Sequence, residues 1–157
     1  MHRILTLSLL LLPLLGCPSA NDDDSADDGP VGEAPVLQSV EMCEVNNSRT
    51  TCGNNGTLQV AFDVSVTDVD GDLLNPQYFI LLNEQVPWLD GRFEGDLGEG
   101  GFLRVSLGCT AFAPGAEIPW RFTMRDDEGN ESDEFTGSYT VSVDPPGFGD
   151  PGVCPAL

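Results

Sequence analysis

An all-β fold, one antiparallel sandwich following a signal peptide and a disordered acidic tether, is predicted by three observations. Apolar residues recur at every second position in segment after segment between 36 and 144. Turn-forming Gly, Asn, Asp and Pro separate those segments, and no convincing helical period follows residue 17. The first 35 residues differ in kind, an apolar run followed by dense aspartate.

Residues 1–16 read as a leader. Met1-His2-Arg3 is a short positive start, and Ile4 to Leu15 is almost unbroken Leu. A dozen apolar residues fall short of the roughly 18–20 that a membrane-spanning helix needs, so the run reads as a secretory signal. No Ala-x-Ala-like cleavage site closes it. It ends instead on Leu14-Leu15-Gly16-Cys17, which resembles the lipobox of bacterial lipoproteins. That resemblance implies diacylglyceryl transfer to the Cys17 thiol, cleavage before Cys17 and acylation of the new terminus. Each buried CH₂ then contributes about 0.8 kcal/mol, and more than one chain makes a membrane anchor stable. Pro18 stands where an Asp would favour inner-membrane retention in such lipoproteins, so the resemblance points to the outer membrane of the cell envelope.

Residues 17–35 form the tether. Asp22-Asp23-Asp24-Ser25-Ala26-Asp27-Asp28-Gly29-Pro30 has no apolar period, and its like charges favour an extended, solvated chain. Fully stretched, residues 18–35 reach at most about 60 Å. A solvated spacer accounts for this composition; an acidic surface-export signal beside an acylated Cys is the sharper alternative.

The domain spans residues 36–144. Val36 to Val45 alternates loosely as a first strand. Leu58, Val60, Phe62, Val64 and Val66 alternate with polar or small neighbours, the clearest strand signal in the chain, and Asn55-Gly56 ahead of them signals a tight turn. Gln77 to Leu82 is a short apolar run that fits a more buried strand. Leu103, Val105 and Leu107 alternate after a Gly-rich loop at Gly95–Gly101. Ile118, Trp120, Phe122 and Met124 alternate against Pro119, Arg121, Thr123 and Arg125, and Tyr139, Val141 and Val143 close the series. Six or seven strands over about 110 residues point to an immunoglobulin-like sandwich. Trp120 is expected in the core with its N–H bonded to one partner, whereas Trp88 is either a seal on the core or an exposed platform for sugar.

Two segments carry a second resemblance. Val64-Ser65-Val66-Thr67-Asp68-Val69-Asp70-Gly71-Asp72 looks like the strand and Asp-x-Asp-Gly-Asp turn of bacterial immunoglobulin-like and cadherin-like repeats. Phe122 to Ser132, with Asp126-Asp127-Glu128-Gly129-Asn130, is similar to their closing turn before the last strand. The likeness covers roughly residues 57 to 143 and implies a scaffold for adhesion, spacing or binding. Calcium takes six to eight oxygen ligands, and Asp-rich loops supply them. An EF-hand is excluded, because Leu73 stands where the loop Gly is required and Phe79 where the closing Glu belongs. If the two turns meet at one end of the sandwich, Asp68, Asp70, Asp72, Asp126 and Asp127 converge on a calcium ion, as in cadherin-like modules. The alternative is plain turn chemistry, with the carboxylates capping backbone N–H groups.

Cys43, Cys52, Cys109 and Cys154 are an even set in an exported chain, so two disulfides are expected out of three possible connectivities. The favoured pairing is Cys43–Cys52, closing a short loop, with Cys109–Cys154 pinning the Pro/Gly-rich tail 145–157 to the domain. A Cys₄ zinc site is disfavoured by the absence of Cys-x₂₋₄-Cys pairs. Sequons begin at Asn46, Asn55 and Asn130 and read as ordinary loop composition.

Charge narrows function further. The chain holds 26 acidic residues against six basic ones, all Arg, for a net charge of −20. Such a surface repels phosphate backbones, which excludes nucleic acid as a partner. The only His is His2, and it departs with the leader. An imidazole base, a Schiff-base Lys and His-ligated zinc are thereby ruled out of the mature chain. The expectation is a non-catalytic, lipid-anchored envelope protein whose sandwich contacts another protein or mediates adhesion. A calcium-dependent carbohydrate- or ligand-binding module supporting a secreted enzyme is the alternative, and a carboxylate-only hydrolase is the third.

Overall fold

A computed structural model describes residues 32–84, 89–144, 150 and 152–155. The leader, Cys17, most of the tether and Trp88 lie outside the described residues, as does much of the tail. Nine strands appear among the described residues: β1 (Val36–Glu44), β2 (Thr57–Leu58), β3 (Val60–Thr67), β4 (Gln77–Leu82), β5 (Leu89–Arg92), β6 (Gly100–Ser106), β7 (Thr110–Ala111), β8 (Glu117–Arg125) and β9 (Phe135–Thr140). One helical turn, α1 (Ser48–Thr51), follows β1.

Two antiparallel sheets face each other. One has the order β1-β3-β6 and the other β5-β4-β8-β9, with β2 and β7 pairing as a small ribbon at the margin. This is the immunoglobulin-like sandwich that the alternation predicts. Strand β3 shows why the pattern works. Its residues Val60, Phe62, Val64 and Val66, like Leu58 just before them, point inward and are buried. They meet Ile80, Ile118, Trp120, Phe122 and Met124 of the opposite sheet in one continuous core. Phe62 sits at the centre, with its ring centroid 5.4 Å from that of Trp120 and 5.8 Å from that of Phe122. Burying a side chain of that size contributes about 2–3 kcal/mol.

On the other face of β3, Ala61 packs in a small second cluster with Cys43 and Cys154, and Asp63 lies in register with Arg104 of β6. The guanidinium grips the carboxylate through Nε at 2.5 Å and Nη2 at 2.6 Å, which offsets the cost of holding Asp63 largely out of water.

Several expectations need correction. The Gly95–Gly101 loop ends earlier than expected, because Gly100 and Gly101 already pair with Thr67 and Val66 as the first residues of β6. The closing strand starts at Phe135 and stops at Thr140. Val141 is still buried, bonded backbone to backbone with Ala116, but Val143 is 70% exposed. The short strand β5 pairs only with β4 and carries no apolar alternation to announce it. Trp120 is in the core as expected, but its Nε1–H meets no acceptor among the described residues. Its ring is stacked on Phe135, with the centroids 6.4 Å apart and only 7° between the planes.

The disulfides pair differently from the favoured assignment. Cys43 bonds Cys154, and Cys52 bonds Cys109, with Cα separations of 5.0 and 5.7 Å. The turn of α1 intervenes between Cys43 and Cys52, leaving Cys43 on the sheet and Cys52 beyond it. The ribbon of β2 with β7 brings Cys109 to Cys52. The tail returns alongside β1, where Glu44 N–H donates to Gly152 O at 2.8 Å and Cys154 N–H to Glu44 O at 2.9 Å. That places Cys154 beside Cys43. Glu44 itself is 1% exposed and is held by Ser48, Arg49 and Ser142.

Candidate metal centre

Strands β3 and β8 belong to opposite sheets and end at the same pole of the sandwich. Each is followed at once by an Asp: Asp68 opens the 68–76 loop and Asp126 the 126–134 loop. Both carboxylates divide their oxygens between two tasks. Oδ1 of Asp68 accepts from the N–H groups of Asp70 at 2.9 Å and Gly71 at 3.2 Å, which folds the turn back on its first residue. Gly71 has φ +74°, a backbone setting that side chains disfavour. Oδ1 of Asp126 likewise accepts from Gly129 at 2.6 Å and Asn130 at 2.7 Å.

The second oxygen of each, Oδ2, is buried and has no hydrogen-bond partner. Asp68 is 4% exposed and Asp126 5%. Asp72 joins them, with both of its carboxylate oxygens buried and unpartnered. The side chain that follows it, Leu73, is fully buried and plugs the loop into the core, while Leu97 N–H donates to Leu73 O at 3.0 Å. One carboxylate oxygen from each of Asp68, Asp72 and Asp126 lies within 4.8 Å of the others.

Turn chemistry and ligand chemistry are therefore both present, on different atoms of the same side chains. Capping accounts for Oδ1 of Asp68 and Asp126 and leaves four inward oxygens unexplained. Unpaired buried carboxylate oxygens are costly, and three together repel. Burial pushes the Asp72 carboxyl up from 3.8 to about 6, and the neighbouring charges of Asp126, Asp68 and Glu128 push it the same way.

Of the five aspartates singled out from the sequence, the fold brings these three together and leaves two aside. Asp70 is exposed, and its Oδ2 accepts the Glu33 N–H instead. Asp127 is exposed too, and its contribution is a long backbone contact from its N–H to Asp72 O at 3.5 Å. Asp127 directly follows an inward residue, whereas Asp70 sits at the tip of the turn that Asp68 Oδ1 closes, and its carboxylate is directed to the N-terminal segment. Glu128, which the sequence reading passed over, contributes to the field at Asp72. Its place in the same acidic run as Asp126 was the available signal.

The set contains only carboxylate oxygens, the donors preferred by hard divalent cations. Asp68, Asp72 and Asp126 would hold such an ion, and the rest of its six to eight ligands would have to come from water or backbone carbonyls. These residues fit calcium.

The chain matches no family model and no curated protein. Its fold is similar to several solved structures, each over 71% of this chain. A PKD domain of an M14-like peptidase from a Thermoplasmatales archaeon is 19% identical, with a TM-score of 0.44 over 98% of that chain. A Niemann-Pick type C2 protein from the Japanese carpenter ant is 7% identical, with a TM-score of 0.40 over 95%. The CARDB domain of a Pyrococcus furiosus protein is 15% identical, with a TM-score of 0.35 over 99%. Likenesses this loose carry no argument about function, and the fold assignment rests on the strand pairing itself.

Proposed function

We propose that this chain is a non-catalytic display module of the cell envelope whose β-sandwich binds one calcium ion at Asp68, Asp72 and Asp126. The observation that carries the reading is the group of four buried carboxylate oxygens without partners, on three residues from two loops that bring one oxygen each within 4.8 Å of the others. A divalent cation there neutralises most of three negative charges and joins the two sheets at their common pole. The same burial argues against the hydrolase alternative. Two of the three carboxylates spend one oxygen on their own turns and bury the other, which fixes them in place rather than presenting them to a substrate.

For the glycan alternative, two of the aromatic side chains offer no open platform, although Phe102 of β6 is exposed. Trp120 is buried, and Arg125 covers Phe79 with its guanidinium carbon 5.0 Å from the ring centroid. Contact with another protein is the reading we retain. The anchoring half of the proposal rests on Leu14-Leu15-Gly16-Cys17 and the acidic tether: a lipid on Cys17 holds the head beside the outer membrane.

Calorimetric titration of chelator-stripped protein with calcium tests the site, the expected outcome being one ion per chain and a melting point that a chelator lowers again. No heat and no shift would remove calcium from the account. Metabolic labelling with a palmitate analogue tests the anchor: label is expected on the wild type and absent from Cys17→Ser. Equal labelling of both would sink that half alone.

A further inference from the structure

Resting on the calcium reading, we infer that the same ion also sets how the N-terminal segment joins the sandwich, through Asp70 and the Gly32–Glu33 peptide. Asp70 lies between two candidate ligands in sequence, yet its carboxylate turns away from them to accept the Glu33 N–H. Gly32 lies between the two loops that supply the ligands. A Cβ at this position would stand 2.7 Å from Asp70 Oδ2 and 3.3 Å from Glu128 Oε2. Its φ of +100° also belongs to glycine. Three residues on, Pro35 is fully buried, so the segment is held on both sides of Glu33.

The connection to the ion is short. Asp70 N–H donates to Asp68 Oδ1, while Oδ2 of the same carboxylate is one of the four inward oxygens. Without a cation, the repulsion among Asp68, Asp72, Asp126 and Glu128 favours spreading of the two loops, and Asp70 and Glu128 separate around residue 32. With it, the loops are drawn together and the segment is gripped. The ion thus decides whether residues 32–36 are held against the two loops, a coupling through a continuous chain of contacts.

Hydrogen exchange on the full chain, with millimolar calcium or with chelator, reads this directly. The expected result is about tenfold slower exchange over residues 32–36 in calcium. Asp70→Ala keeps the three ligands, so calcium should still raise its melting point while the protection at 32–36 disappears; Asp126→Asn should lose both. If Asp70→Ala does not fold, Gly32→Ala carries the same expectation, because its new methyl displaces Asp70 without touching a ligand. Calcium that raises the melting point but leaves exchange at 32–36 unchanged overturns the coupling and spares the site. Protection that persists in Asp70→Ala or Gly32→Ala overturns it as well. No binding by the wild type overturns the site itself.

Discussion

Replacing Asp72 by Asn should act in opposite directions with and without calcium, and that reversal separates a metal ligand from a turn residue. Asp72 holds two of the four inward oxygens and has its carboxyl pushed up to about 6 by burial and by Asp126, Asp68 and Glu128. In chelator at pH 7.5 the wild type keeps this carboxylate ionised against its neighbours. A two-unit shift corresponds to at most about 3 kcal/mol, and solvent screening at the loop rim reduces that to about 1 kcal/mol. Asp72→Asn removes the charge while preserving the shape, so the metal-free variant should melt about 4 °C higher than the wild type.

In calcium the order inverts. Extracellular sites of this kind bind with dissociation constants of roughly 10⁻⁴ to 10⁻³ M. Calcium near 10 mM then stabilises the wild type by about 1.4–2.7 kcal/mol, or some 5–10 °C, through mass action. The variant, with a neutral amide in place of the central carboxylate, should gain little. Differential scanning calorimetry at both conditions measures all four melting points. An Asp72→Asn chain that melts lower in chelator, or that responds to calcium as strongly as the wild type, refutes the reasoning.

Other consequences are simpler to state. In chelator, the folded state binds more protons at Asp72 than the unfolded state does between about pH 4 and pH 6, so stability should fall as pH rises through that window. A denaturant midpoint that rises with pH there in the wild type, and does so equally in Asp72→Asn, would contradict this. Arg104→Ala strands the Asp63 carboxylate and should cost about 2–4 kcal/mol in urea melts, whereas the double change Asp63→Ala with Arg104→Ala should recover part of that loss. Peptide mapping without reductant should find Cys43 linked to Cys154 and Cys52 to Cys109. Changing Cys43 and Cys154 together to Ala should cost roughly 4–5 kcal/mol, because their bond closes a loop of over a hundred residues.

The sandwich was legible wherever strands are covered on one face. Alternation in Leu58–Val66 and Ile118–Met124 picks out the residues that face the main core, although Ala61, Asp63 and Thr123 between them are buried as well. Leu89–Arg92 was not legible: it is an edge strand with no apolar rhythm, and Gly91 is tolerated there because Tyr78 lies directly against it. Val143 misled in the other direction, since its alternation runs on past the last residue of β9.

At the candidate site, sequence reasoning located the loops and their shared pole but not which aspartates turn inward. That depends on where Asp68 and Asp126 each spend one oxygen on their own turn. Cysteine pairing failed for a related reason. Closeness in sequence suggested Cys43 with Cys52, whereas strand position and the returning tail decide the partners.

The covalent link from Cys43 to Cys154 also has a mechanical consequence. Once the contacts of residues 32–35 have given way, a pull applied between the N-terminal segment and the tail enters at Val36, travels along β1 only as far as Cys43, and crosses the sulfur bridge to leave by Cys154. The residues enclosed by the bridge, both acidic loops included, carry none of that tension through their own backbone. The head can therefore be tugged by whatever holds its two ends without being unravelled, so long as the bridge stays oxidised.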